Sequence, residues 1–381
     1  MRVAVVTTEP TPYRAPQLDR LARHPDLDLT VFYAASTFQR RTWKVELDHP
    51  HEILRGVTLP LNRVLLHDYP LTPAIRGRLA RGRYDCVVIW GWSTFASQLA
   101  VAWCRLHGTP YLVFAESQLT EPRPAWVRLI KRLLVPLVVG PAAGQLVTGT
   151  RAREHALAYG AQPDRIWTFA NTVDTLALRA EAERLHERRD PIRSTFGIED
   201  DRVVVAHVAR QIPQKGTDVL IAAVARTRSR PLLLVVGDGP QRQELERLAA
   251  SSGVDAVFTG ELGRDRLVEA YVAGDVFAQL SRKEPWGVVV NEAAACGLPL
   301  VLSDRVGAAA DLVEAGENGF VIPSDDPSAA AAALDSLAKD ADLRSRMGAR
   351  SAELAAAWGY EPSEAAFVAA CRAAVSSNQS R

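Results

Sequence analysis

The sequence predicts an α/β protein with two doubly wound parallel sheets, one in each half of the chain. Three observations predict it. Short apolar runs alternate with longer helix-like segments, several runs are apolar at consecutive positions, and the alternation pauses once near 176–200 before resuming. Consecutive apolar residues mark strands buried on both faces, as in a parallel sheet covered by helices. The alternation itself is the βαβ rhythm of such sheets. A chain of 381 residues is long enough to form two separate cores.

In the first half, Val3–Val6, Leu29–Tyr33, Cys86–Trp90, Tyr111–Phe114 and Gln145–Thr148 read as strands, and Pro16–Arg23, Thr94–His107 and Arg151–Tyr159 as helices. Between them, Trp126, Leu129, Ile130, Leu133, Leu134 and Leu137 recur at helical spacing, with Arg128, Lys131 and Arg132 interleaved. A core-facing helix with a solvated basic face is the commoner meaning of that pattern. The alternative is peripheral membrane contact through 126–137 by an interfacial helix.

The pause carries Glu181, Glu183, Arg184, Glu187, Arg188, Arg189 and Asp190 before Pro191, and reads as an exposed helix and linker. The second sheet runs through Val203–Val208, Leu232–Val236, Ala256–Thr259, Val276–Leu280, Leu300–Ser303 and Gly319–Ile322. Helices fit Asp218–Arg226, Gln241–Ser251, Asp265–Ala273, Val288–Cys296 and Ala308–Ala315, and the run Ala329–Ala333 is a strong helix former. The expected division is 1–175 as N-terminal Rossmann-like domain, 176–200 as linker, 201–350 as C-terminal Rossmann-like domain, and 351–381 as a closing helical segment. Its polar end, Ser376–Arg381, is expected to fray. The two domains are expected to face each other across a cleft, with ligands at the carboxyl ends of the strands.

Composition sets limits on function. Hydrophobic residues are 48% and charged residues 23%, ordinary for a soluble globular protein, and a net charge of +1 gives no global field for nucleic acid. The cysteines Cys86, Cys104, Cys296 and Cys371 form no CxxC pair, and the eight histidines form no HExxH, so no metal site is expected. Cys86 and Cys104 read as small core residues. The opening Val3–Val6 run is too short for a signal peptide, and no stretch reaches the ~20 apolar residues that span a bilayer. A cytoplasmic location is the expectation.

The strongest chemical signal is the stretch from Glu284 to Glu292, Glu-Pro-Trp-Gly-Val-Val-Val-Asn-Glu, directly after a strand. Gly287 permits close approach of a ligand to the backbone. The amides of Gly287, Val288 and Val289 at a helix start would hold an anion. Glu284 and Glu292, on either side, are suited to sugar hydroxyls because carboxylates accept paired hydrogen bonds. A second signal, Arg210-Gln-Ile-Pro-Gln-Lys215-Gly216, follows the first strand of the second sheet. Two cations there would neutralise a departing diphosphate. Gly237-Asp-Gly-Pro240 and Thr259-Gly260-Glu261-Leu262 follow the next two strands as turns at the same edge. Each of these motifs also has an ordinary structural meaning, as a loop charge, a basic loop or a plain turn. Their order along one chain favours a ligand site.

In that order and spacing the motifs resemble glycosyltransferase family 4, of GT-B fold, over most of residues 150–340. The resemblance implies a retaining transfer from a nucleoside-diphosphate sugar, UDP-linked by default, that needs no metal or cofactor. It implies that Arg210 and Lys215 hold the diphosphate, that Glu284 meets the donor sugar and Glu292 the ribose, and that Gly237, Gly260 and Leu262 lie on the donor side. It also implies a last helix, near Trp358–Ala374, crossing back onto the N-terminal domain. Pro10-Thr-Pro-Tyr13-Arg14 and Asn171-Thr-Val-Asp174 are similar to family segments. The chain departs from the family by lacking a glycine-rich loop after its first strand, and by placing Glu116 where many members have a histidine. Tyr13, Arg14, Trp92 and Glu116 are candidates for the acceptor or sugar side. Acceptors in view are a glycan, a lipid-linked saccharide or a natural-product aglycone. A non-catalytic nucleotide-sugar binder of the same fold is the main rival. A nicotinamide-dependent dehydrogenase would need GxGxxG after a first strand, and neither Thr7–Arg14 nor Ala209–Gly216 supplies it.

Overall fold

The computed structural model describes residues 1–36, 45–59, 69–119 and 124–379. They divide into two compact units, Met1–Asn171 with Tyr360–Arg381, and Thr172–Gly359.

In the first unit the strands are β1 (Arg2–Thr7), β2 (Asp28–Tyr33), β3 (His51–Ile53), β4 (Val57–Leu59), β5 (Tyr69–Leu71), β6 (Cys86–Trp90), β7 (Tyr111–Ala115), β8 (Gly144–Val147) and β9 (Ile166–Thr168). Seven of them form a parallel sheet in the order β3-β2-β1-β6-β7-β8-β9, while β4 and β5 pair antiparallel. The consecutive apolar residues of β1 explain its central place. Val3 and Val5 enter the core on one face with Leu18 and Leu21, and Ala4 and Val6 enter the other with Ile75 and Leu79. The chain's last helix, Tyr360–Gln379, covers the first face with Phe367, Val368, Ala370, Cys371 and Ala374. Arg20 fastens its start, pairing with Glu361 at 2.9 Å and with Glu364. Ser376–Gln379, expected to fray, continue this helix. Cys86 and Cys104 are buried.

The second unit contains β10 (Val204–Val208), β11 (Leu232–Val236), β12 (Ala256–Gly260), β13 (Val276–Gln279), β14 (Leu300–Ser303) and β15 (Gly319–Ile322). They are parallel, in the order β12-β11-β10-β13-β14-β15. In each sheet the order reverses beside the first strand, between β1 and β6 and between β10 and β13. That reversal is the switch point at which doubly wound sheets open a crevice for ligands.

Two expectations are corrected. Residues 176–200 are not a free linker. Most of them lie in helices Thr175–His186 and Arg189–Thr195 of the second unit, where Leu178, Ala182, Leu185 and Ile192 are buried. The helix Ala125–Val139 does not turn its apolar face to the core. It buries Lys131, Val135 and Val139 and leaves its leucines exposed.

Candidate functional site

In the second unit the loops after β10, β11, β12 and β13 interlock at one edge. After β10 the chain passes through exposed Arg210 into a single 3-10 turn, Pro213–Lys215. Gly216 ends the turn at φ +67°, where a Cβ would lie 2.0 Å from the Leu280 carbonyl oxygen. Only glycine lets the turn rest against the end of β13. From the opposite side Arg282 binds the turn: its amide donates to the Gln214 carbonyl at 2.9 Å, and its guanidinium to Pro213 at 2.8 Å. The same guanidinium makes a fork with Asp218 at 2.8 and 2.6 Å. Beneath the turn lies buried His207, whose Nδ1 donates to the Ala278 carbonyl at 2.9 Å and whose Nε2 is 3.0 Å from the Thr217 hydroxyl. Burial lowers the His207 pKa to about 4, assisted by the nearby Lys215 charge. The ring is therefore neutral at physiological pH.

This scaffold aims Lys215 at Glu284, and the two form an ion pair. Gln279 Nε2 donates to the same carboxylate oxygen at 3.1 Å. The Glu284 backbone is pinned as well, its amide donating to Arg305 at 3.3 Å and its carbonyl accepting from Gly307 at 2.9 Å. Trp286 is buried, donates its indole N–H to Asn291 Oδ1 at 2.9 Å, and packs on Trp358 with ring centres 5.1 Å apart. Gly287, at φ +100°, then opens the helix Val288–Ala295 without a side-chain cap. The first-turn amides, Val288 and Val289 among them, have no carbonyl one turn back to bond within that helix.

Glu292 lies one turn into the helix. Tyr271 donates its phenolic hydrogen to Glu292 Oε2 at 2.7 Å, and burial pushes the carboxyl pKa upward against that bond and the nearby Arg264 charge. Gly237 (φ +113°) would place a Cβ 2.1 Å from the Ala209 carbonyl, and its amide donates to the Gly260 carbonyl at 2.8 Å. A Cβ on Gly239 would lie 2.5 Å from the Gln211 carbonyl oxygen, so the β11 loop rests on the β10 loop. Leu262 is half-buried just before the helix Arg264–Ala273. The two motifs that lie 69 residues apart thus meet directly through Lys215 and Glu284. Arg210 follows β10 on the same loop as Lys215, Gly237 and Gly260 meet on the two neighbouring loops, and Glu292 is turned toward Tyr271.

The first unit holds a cavity of 340 Å³ beside its own switch point, and Tyr13, Arg14, Trp92 and Glu116 all line it. Arg14 is 7% exposed and lies between the rings of Trp90 and Phe114, 4.4 and 4.5 Å from their centres. Burial pulls its pKa downward. It pairs with Glu116, which also accepts from Asn171 Nδ2 at 2.6 Å. Arg14 Nη1, Thr11 Oγ1, the Trp90 indole N–H and both amide atoms of Gln145 are buried there without protein partners. Such atoms call for a polar guest, since a buried polar group left unbonded costs about 1–3 kcal/mol. Gln145 was not singled out from the sequence. A lone polar side chain in an apolar strand was the signal. Among the described residues, no cluster of three or more His, Cys, Asp or Glu could hold a metal ion, and no helix is long and apolar enough to cross a membrane.

Residues 188–354 match the family described as "Glycosyl transferases group 1". The chain is 36% identical over 249 residues to a D-inositol 3-phosphate glycosyltransferase of Acidothermus cellulolyticus, covering 61% of this chain and 52% of that protein. It is 28% identical over 293 residues to the sulfoquinovosyl transferase SQD2 of Arabidopsis thaliana, covering 73% of this chain and 54% of that protein. The chain thus spans about half the length of these curated relatives. Its fold is similar to that of HepE of Anabaena, solved in complex with UDP, at a TM-score of 0.74 with 19% identity and full coverage of both chains. Residues 188–354 are thus similar to the group 1 glycosyl transferases, and the chain carries the GT-B fold.

Proposed function

We propose that the protein is a retaining glycosyltransferase of the hexosyltransferase type. It moves a sugar from a UDP-linked donor to a hydroxyl or amine acceptor such as a glycan, a lipid-linked saccharide or a natural-product aglycone. One observation carries the reading: Lys215 and Glu284 meet at the switch point, beside a helix start opened by Gly287. A sugar pyrophosphate has an anionic end and a polyol end, and this pair offers a cation to one and a carboxylate to the other. Arg210, Lys215 and the amides of Gly287, Val288 and Val289 meet the pyrophosphate charge, so the reading needs no metal or cofactor. Glu284 accepts from sugar hydroxyls, and Glu292, fixed by Tyr271, from the ribose. Gly237, Gly260 and Leu262 border the nucleotide.

The acceptor oxygen or nitrogen bonds to the anomeric carbon on the face the phosphate leaves. The bond from that carbon to the phosphate oxygen breaks, and the acceptor proton passes to the departing phosphate. Charge on that phosphate grows along the way, so the cations bind the transition state more tightly than the donor. Arg14 and Glu116, with Tyr13 and Trp92, form the acceptor side. The UDP and UDP-glucose complexes of HepE support uridine as the base, and the name of the inositol-phosphate relative supports a hydroxyl acceptor. The test is release of nucleoside diphosphate across a panel of UDP- and GDP-sugars, with the product anomer read by NMR. Release from a UDP-sugar with retained configuration is expected. Release from none of them, or an inverted product, contradicts the reading.

A further inference from the structure

The helix Ala125–Val139 is built inside out. Toward the core it turns Lys131, Val135 and Val139. Lys131 is 6% exposed, its ammonium 3.1 Å from His155 Nε2 and 5.6 Å from the centre of the Tyr159 ring. Away from the core it presents Trp126, Leu129, Ile130, Leu133, Leu134 and Leu137, between 42% and 63% exposed. Their spacing of three and four residues places them on one continuous face. A helix packed in water does the reverse, because burying an ammonium costs free energy and burying leucine returns it. Single exposed leucines are ordinary, whereas a contiguous face of this extent marks a contact with something apolar.

Charge identifies the medium. The helix carries Arg128, Lys131 and Arg132 and no Asp or Glu, and both arginines are exposed. Arg105 adds a further cation near the far end, donating to the Leu137 carbonyl at 3.4 Å. A second copy of the chain meeting this face symmetrically would set guanidinium against guanidinium, with no carboxylate on the helix to neutralise them. An apolar layer beneath anionic headgroups satisfies both the leucines and the arginines. Trp126, in the first turn, has the amphipathic ring that settles at such boundaries. Fifteen residues give a rod of about 22 Å, too short to span a bilayer but suited to lying in its surface.

We propose that this face docks the protein onto an anionic lipid surface, with the helix lying flat in the interface. The proposal is independent of the sugar-transfer reading, and its test uses no donor. The full chain is sedimented with vesicles of phosphatidylcholine alone or with about 30 mol% phosphatidylglycerol. The comparison covers the wild type, the pair Leu129→Ser with Leu133→Ser, and the pair Arg128→Gln with Arg132→Gln. All four positions are exposed, and the thermal midpoint of each variant checks that it folds. The wild type is expected to prefer the anionic vesicles. The leucine pair should lower partitioning to both vesicle types by about tenfold or more. The arginine pair should lower only the anionic preference, by about fivefold per residue. A wild type that stays in the supernatant with both vesicles overturns the proposal. So does binding indifferent to both variant pairs, or a vesicle-free dimer that the leucine pair dissociates.

Discussion

Replacing Lys215 with Met removes the charge from one half of the Lys215–Glu284 pair and keeps most of the packing. The two side chains are 22% and 12% exposed, so Glu284 is left poorly hydrated and loses the Lys215 charge. Breaking a fully buried pair in this way costs about 3–5 kcal/mol. Partial exposure, and the Gln279 hydrogen bond at 3.1 Å that remains, reduce the expected cost to about 1–3 kcal/mol. Glu284→Gln alone has a comparable cost, because it strands the ammonium. The double variant carries neither charge, so its loss should fall short of the sum of the single losses by about 1–2 kcal/mol. Urea unfolding of the four proteins measures this coupling. In turnover, loss of one transition-state cation predicts a fall of about a hundredfold in nucleoside diphosphate release for Lys215→Met. Stability losses that add to within about 0.5 kcal/mol, together with unchanged turnover, would refute both the pairing and the role assigned to it.

Other perturbations test the scaffold beneath the pair. His207 has a folded pKa of about 4 against 6.5 unfolded, so below pH 6.5 the unfolded chain takes up a proton that the folded chain refuses. Its contribution to stability is full above pH 6.5 and declines by about 1.4 kcal/mol per unit, reaching a loss of about 3 kcal/mol near pH 4. His207→Gln should flatten that part of the pH–stability curve, measured by urea midpoints between pH 4 and 7. Gly216→Ala combines a left-handed φ with a Cβ 2.0 Å from Leu280, and should cost about 2–4 kcal/mol. Gly253→Ala shares φ +67° but meets nothing within 4 Å, and should cost only about 1 kcal/mol. Thermal unfolding of the two variants compares them.

Strands with consecutive apolar residues, such as Val3–Val6 and Leu232–Val236, were legible because burial on both faces leaves no room for a polar residue. The three-residue strands β3, β4, β5 and β9 carry too few residues for periodicity to register. In 176–200 the dense charge hid Leu178, Ala182 and Leu185, whose spacing already described a helix with one buried side. Periodicity located the apolar face of Ala125–Val139 but not the side on which the core lies. Glycines and cations after strands marked the edge of the second unit. That Lys215 and Glu284 touch follows from the strand order, which puts β10 beside β13 and is not written in the spacing of the motifs. The Tyr271 contact to Glu292 joins two helices, and no local pattern announces it.

Calorimetric titration with UDP, on the wild type and on Arg210→Ala and Lys215→Ala, addresses the central claim most directly. Saturable binding is expected, loosened about tenfold or more in each variant as one charge-assisted contact to the diphosphate is lost. Equal affinity in all three proteins, or no binding by the wild type, would contradict a diphosphate site at the Lys215–Glu284 edge.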